Sequence, residues 1–190
     1  MIDKDYFLKL RKEIEKKDKL REEVIVTSRP ITKNAKLAIY ALHRNSMKEA
    51  SDLIAKSKKD ILELKKIDAE ASNSGSYSAA AQEYAEAATY MYYLKEKRLA
   101  KNDEIGVDIE DYLSGLSDLT GELGRRVIFS VVDEKYGEVL EIKDFVSGIY
   151  EEFLKFDFRN GELRKKNDSI KWNLKKIEEV CYDLKIRGKI

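Results

Sequence analysis

The sequence predicts an all-α protein, a bundle of about seven long antiparallel helices. Three observations lead there. The 190 residues include one proline and nine glycines, so few positions interrupt a helix. The composition is rich in Lys, Glu, Leu and Ala, which lose little on entering a helix. Apolar residues recur at steps of three and four through most of the chain, the period of one helical face.

Taken in order, Phe7, Leu10, Ile14 and Val24 mark a first helix. Ile31, Ala35, Ala38 and Leu42 mark a second, with Pro30 in its first turn, where a missing N–H leaves nothing unpaired. The β-branched run Glu23-Val24-Ile25-Val26-Thr27 is too short and isolated for a strand and reads as a turn between these helices. Met47, Ala50, Ile54, Ile61 and Leu64 form a third stripe. Ala71 to Ser76 is a small, polar run that reads as a loop. A fourth helix is expected from about Tyr77 to Ala100, and a fifth from about Ile109 to Asp133, with Gly106 in the connection. Ile142, Phe145, Ile149 and Phe153 mark a sixth, ending near Asn160-Gly161 as a C-cap. Leu163, Ile170, Leu174, Ile177, Cys181 and Leu184 mark the last.

Composition shows no break, so residues 1–190 read as one domain. Lys and Arg (37) nearly cancel Asp and Glu (36), and net charge therefore names no partner. A single cysteine, Cys181, excludes an internal disulfide and fits a reducing compartment. No apolar signal core and no run of membrane-spanning length is present, so a cytoplasmic protein with no membrane partner is expected. The absence of a Walker loop or Rossmann glycine pattern disfavours nucleotide-dependent chemistry.

Charge distribution is more informative. From Ala71 to Leu94 the only charged residues are Glu83 and Glu86, and from Tyr112 to Gly124 only Asp118 and Glu122. At the chain's average charge density about nine and about five would be expected. Each pair has helical spacing, three or four apart, and so projects from one helical face. Spacing alone decides little, because Asp108/Asp111, Glu138/Glu141 and Glu179/Asp183 share it and read as solvated faces. The two chosen pairs differ in their neutral surroundings, alanines around the first and leucines around the second. Two readings stand at this point. The acids are helix-surface groups or partners of Arg125 and Arg126, or they converge on a divalent cation, for which hard oxygen ligands suit Mg²⁺ or Mn²⁺.

Other candidates are weaker. A di-iron bundle needs Glu-x-x-His motifs, and the lone histidine, His43, lies on another helix. His43 and Cys181 read as boundary or core residues, and Tyr84, Tyr90, Tyr92 and Tyr93 as packing. Arg29, Lys33 and Lys36, like Arg164, Lys165 and Lys166, offer phosphate contacts or simply solvated faces.

The segments Gln82-Glu83-Tyr84-Ala85-Glu86-Ala87 and Asp118-Leu119-Thr120-Gly121-Glu122-Leu123 resemble those of the translin family, in its trax branch. Ser28-Arg29-Pro30-Ile31-Thr32 through Leu42-His43-Arg44 is also trax-like. Arg159 to Gly188 is more similar to the translin branch. The resemblance implies an all-α subunit in a hollow homo-oligomer, an octamer, that binds single-stranded RNA or DNA. It implies Mg²⁺-dependent endoribonuclease activity from a tetrad, here Glu83, Glu86, Asp118 and Glu122, all four of which the charge pattern isolates. Glu86 is then the expected base for a bound water. Arg29, Lys33, Lys36, Arg125 and Arg126 are expected along the nucleic acid, Arg125 and Arg126 alternatively as ion-pair partners of Glu122. The alternative function is a translin-like assembly that binds single strands without cutting them.

Overall fold

The computed structural model describes residues 2–70 and 75–190. In chain order the elements are α1 (Lys4–His43), α2 (Met47–Glu70), α3 (Gly75–Glu96), α4 (Asn102–Ile105), α5 (Ile109–Val132), α6 (Tyr136–Phe153) and α7 (Glu162–Ile186). Among the described residues there is no strand, as expected of an all-α chain, and the run at 23–27 is helical. The expected loop at 71–76 lies outside the described residues at 71–74, and its last two residues already belong to α3. The chain forms two compact units, Met1–Tyr112 and Leu113–Ile190, a boundary inside α5 that no composition shift marks.

The first unit differs from expectation at its start. What the sequence suggests as two helices is one, α1, 40 residues long with Pro30 in its interior. Pro30 and Val26, one turn apart, both lie on the exposed side of α1. The carbonyl that the proline ring leaves without its usual N–H partner therefore opens to water, and the helix survives a residue that commonly ends one. At the start Asp3 caps α1, its carboxylate accepting from the N–H groups of Asp5 (3.1 Å) and Tyr6 (3.0 Å). The stripe Phe7–Ile14 marks a helical face as expected, yet within the chain it stays open. Phe7 is 52% and Ile14 59% exposed, and full burial begins only at Val24.

From Val24 onward α1 packs on α2 and α3. Ile31, Ala38 and Leu42 of α1, Ile61 and Leu64 of α2, and Ala80, Tyr84 and Tyr90 of α3 are essentially inaccessible. The alanines of α3 keep its surface low, which lets neighbouring backbones approach, while its tyrosines fill the volume that remains. Tyr90 Oη lies 3.3 Å from His43 Nδ1, so the single histidine is a packing and hydrogen-bonding residue at the end of α1.

Beyond α3 the sequence shows only a connection, but the chain adds the short helix α4. Arg98 holds both carboxylate oxygens of Glu104 (2.9 Å each), and the Lys101 N–H donates to the same carboxylate. The Arg98 hydrogen bonds are the main reason that the Glu104 carboxyl is pulled down to about 2. Gly106 closes α4 in the left-handed region (φ 79°), and a Cβ there would stand 2.8 Å from Leu62 Cδ2.

In the second unit Leu119, Leu123 and Val127 of α5, Val139, Ile142 and Val146 of α6, and Ile170 and Ile177 of α7 are buried. The expected C-cap at Asn160-Gly161 is corrected: α6 ends at Phe153, and Gly161 instead precedes α7 in extended backbone (φ 166°). After Leu154 the chain turns back to set Phe156 and Phe158 against Phe153, with ring centroids 5.2–6.1 Å apart. This aromatic cluster gives the chain a better use of those residues than continued helix.

Gly106→Ala is expected to lower the stability of the chain by about 1–2 kcal/mol, the cost of left-handed backbone for an L-residue. Urea unfolding of the variant beside wild type checks this, and an unchanged midpoint would refute it.

Candidate functional site

Glu83 and Glu86 sit on α3, within its alanine-rich stretch. Glu86 is buried, at 8% exposure, and Glu83 is half-buried. Alanine on either side supports the helix while presenting no competing charge. One turn on, Thr89 Oγ1 donates to the Ala85 carbonyl (2.6 Å), which lets a polar residue stay inside the packed face. Glu83 is not isolated: the Lys36 ammonium of α1 lies 3.1 Å from its Oε1.

Lys36 also lines a groove between α1 and the start of α3, with a volume of about 570 Å³. Arg29, Lys33 and Lys36 line it at helical spacing, with Ser28 and Thr32 supplying hydroxyls and Ile25, Leu37, Tyr40 and Ala79 an apolar wall. No acidic side chain is among the lining residues. The three cations expected from sequence thus share one concave surface. One of them, Lys36, also touches Glu83 of the first acid pair.

Asp118 and Glu122 share a face of α5 in the second unit. Lys166 of α7 places its Nζ 2.5 Å from both carboxylate oxygens of Asp118. The helices are locked in register there. Ser117 Oγ donates to the Lys166 carbonyl (2.7 Å), Ser169 Oγ donates to that carbonyl (2.6 Å), and Asn173 Nδ2 donates to Thr120 Oγ1 (2.9 Å). Gly121 and Gly124 lie against Asn173 and Ile177 of α7, where a Cβ would make only ordinary contact. Glu122 is half-buried with Arg125 3.8 Å away. Arg126, expected on nucleic acid or on Glu122, donates to Glu138 (3.0 Å), whose other oxygen accepts from Ser130. The arginine is only 12% exposed, so it ties α5 to α6.

In two of the comparison pairs one member is not solvated, while Asp108 and Glu141 are exposed as expected. Glu138 is the internal partner just described. Asp111 is 7% exposed and accepts from Ser78 Oγ and from Gln82 Nε2 (3.1 Å). Burial raises the Asp111 carboxyl above its usual 3.8, against the two hydrogen bonds and with help from the charges of Asp108 and Glu110. Nearby the Tyr77 hydroxyl is buried without a hydrogen-bond partner and is likewise raised, by burial first and then by Asp108, Asp111 and Asp68. Gln82, adjacent to Glu83, thereby fastens α3 to the start of α5. By contrast, Glu179 is exposed beside Lys175, as expected. Cys181, expected in the core, is only half-buried.

Among the described residues no group of three or more His, Cys, Asp or Glu side chains is arranged to hold a metal ion. Mg²⁺, however, is commonly held by one or two carboxylates together with water and substrate phosphate oxygens. Each acid pair supplies that donor set. In each unit a lysine ammonium already rests on one carboxylate, showing that these oxygens are open to a cation. The sequence signal missed Lys36 and Lys166 as partners because both come from helices remote in the chain.

The sequence pattern of the translin family matches residues 19–188. The chain belongs to the translin family. Within that family it is 45% identical to translin of Gallus gallus over 82 residues, a segment covering 43% of this chain and 36% of that protein. To translin-associated protein X of Pongo abelii it is 28% identical, over 96% of this chain and 78% of that protein. The chain thus aligns with about a third of the length of the translin and most of translin-associated protein X. Among solved structures, apo-NeC3PO matches at a TM-score of 0.85 and 25% identity, over 91% of this chain and 94% of that one. The AfC3PO–duplex RNA complex matches in fold at 0.85 and 21% identity, over 96% and 97% of the two chains. Among the described residues no helix of this translin-family chain is long and apolar enough to cross a membrane.

The Asp111 environment makes a pH prediction. Its folded carboxyl holds a proton more readily than the unfolded one, so its contribution to stability falls as pH rises above about 3.8. In urea unfolding, Asp111→Asn is expected to gain stability relative to wild type between about pH 4 and about pH 7. A difference that does not change with pH would refute the displacement.

Proposed function

We propose that this translin-family chain is a metal-dependent endoribonuclease that binds single-stranded RNA and works as a homo-oligomer, an octamer. The observation that carries the reading is the position of Lys36, which both lines the basic groove and contacts Glu83. A strand whose phosphates follow Arg29, Lys33 and Lys36 is led to the first acid pair. The likeness to translin-associated protein X over nearly the whole chain supports the reading, because the four acids lie within it.

In this mechanism the groove supplies affinity and direction. Arg29 and Lys33 meet phosphates, while Tyr40 and Leu37, both exposed on the groove wall, offer surfaces on which bases rest. Glu83 with Glu86, and Asp118 with Glu122, would each hold Mg²⁺ or Mn²⁺, which when bound acidifies water and neutralises charge on the phosphodiester. Glu86, the most buried of the four, takes the proton from the attacking water. Water oxygen bonds to phosphorus in line, the bond from phosphorus to the 3′ oxygen breaks, and that oxygen leaves protonated. The products carry 5′-phosphate and 3′-hydroxyl ends. Arg125, the exposed arginine beside Glu122, stabilises charge that develops on the phosphate.

A second reading, single-strand binding without cleavage, is favoured by the two lysine contacts, which neutralise Glu83 and Asp118 without any metal. Labelled single-stranded RNA incubated with Mg²⁺ or with EDTA separates the two. Glu86→Gln and Asp118→Asn are expected to lose about 100-fold or more in cleavage rate while still binding RNA and eluting as the wild-type oligomer. Cutting at the wild-type rate by both variants would remove the tetrad from the mechanism. Arg29→Ala and Lys33→Ala should each weaken RNA binding and lower the salt slope of log K by about one. An unchanged slope would place the strand elsewhere.

A further inference from the structure

The two lysines that meet the acid pairs are held differently. Lys36 touches one oxygen of Glu83, at 3.1 Å, and its side chain is 61% exposed. Lys166 contacts both oxygens of Asp118, at 2.5 Å each, and is 28% exposed beside a carboxylate that is 35% exposed. A two-oxygen contact of this kind takes one lone pair on each oxygen and sets a positive charge against them, which opposes a divalent cation there. Lys166 also sits where its backbone is fixed independently of its side chain. Its carbonyl accepts from Ser117 and Ser169, and Asn173 ties the next turns of α7 to Thr120. The backbone is therefore pinned without the ammonium, which contacts the two Asp118 oxygens.

We propose that Lys166 is a built-in counter-cation that keeps divalent metal off Asp118 until a nucleic-acid phosphate offers the ammonium another partner. This rests on the ribonuclease reading and adds to it a coupling between substrate and metal. Without RNA, a metal ion must compete with a tethered ammonium for both Asp118 oxygens. With RNA, the lysine transfers its contact from carboxylate to phosphate, an anion that also suits a point-charge donor. Asp118 is then released to ligate metal in the presence of the strand to be cut. Metal and substrate thus favour one another's binding, as two ligands of one switching element must. Lys166 acts here as a positioning residue, since its effect is exerted through Asp118.

The test measures Mn²⁺ binding to the full chain by electron paramagnetic resonance, with and without a cleavage-resistant phosphorothioate single-stranded RNA. Lys166→Met removes the ammonium and keeps the backbone hydrogen bonds, so its fold is retained. Without RNA it should bind Mn²⁺ about fivefold more tightly than wild type, the equivalent of a partly exposed ion pair. Lys166→Arg keeps the positive charge and should return the affinity to near the wild-type value. RNA should raise Mn²⁺ affinity less in Lys166→Met than in wild type. Equal Mn²⁺ affinity for wild type and Lys166→Met would overturn the lysine gate. If Asp118→Asn still weakened Mn²⁺ binding in that case, the ribonuclease reading would stand alone. No Mn²⁺ bound by wild type or Lys166→Met, with or without RNA, would sink both.

Discussion

A carboxylate drawn partly out of water must find a positive partner or give up its charge, and this constraint shapes both units. In the first unit, α3 carries its acids on a face lowered by alanine so that other helices can pack closely. The neutralising charge then comes from α1, through Lys36 on Glu83. In the second, α5 carries Asp118 and Glu122 among leucines, and the charge comes from α7, through Lys166, and from Arg125 of the same helix. The charge-poor windows are thus not charge-free environments. They are helices to which lysines of other helices bring counter-charge, through Lys36 and Lys166.

That arrangement explains why the surrounding structure is so specific. Lys166 reaches Asp118 because serine and asparagine hydrogen bonds set the register of α7 on α5. Lys36 reaches Glu83 because α1 continues unbroken past Pro30. Were α1 broken there, Arg29 and Lys36 would belong to separate helices and the groove they line would lose its continuous wall. The same geometry gives the proposed chemistry a direction, with cations leading to carboxylates.

The helices themselves were largely legible. Few glycines, one proline and steady three-four spacing gave α2, α3, α5 and α7 with boundaries close to those observed. The misses have physical causes. Pro30 was read as a start because the rule concerns the hydrogen bond it cannot make, and that bond is dispensable where the freed carbonyl meets water. Asn160-Gly161 was read as a stop because local propensity cannot anticipate Phe156 and Phe158 turning back on Phe153. Phe7 and Ile14 show that periodicity reveals a face without saying what covers it.

Sequence by itself determined that this chain is all-α, that it carries two acid pairs on helical faces, and that those pairs sit in translin-like segments. It did so because helix propensity, spacing and local charge density are properties of neighbouring residues. Tertiary structure alone decided which acids are buried, as with Glu86 and Asp111, and which cation serves which acid. Arg126 of α5 serves Glu138 of α6, and Lys166 reaches Asp118 across a long stretch of chain. Ion pairing and desolvation depend on distance in space, and no local pattern encodes the packing that sets those distances.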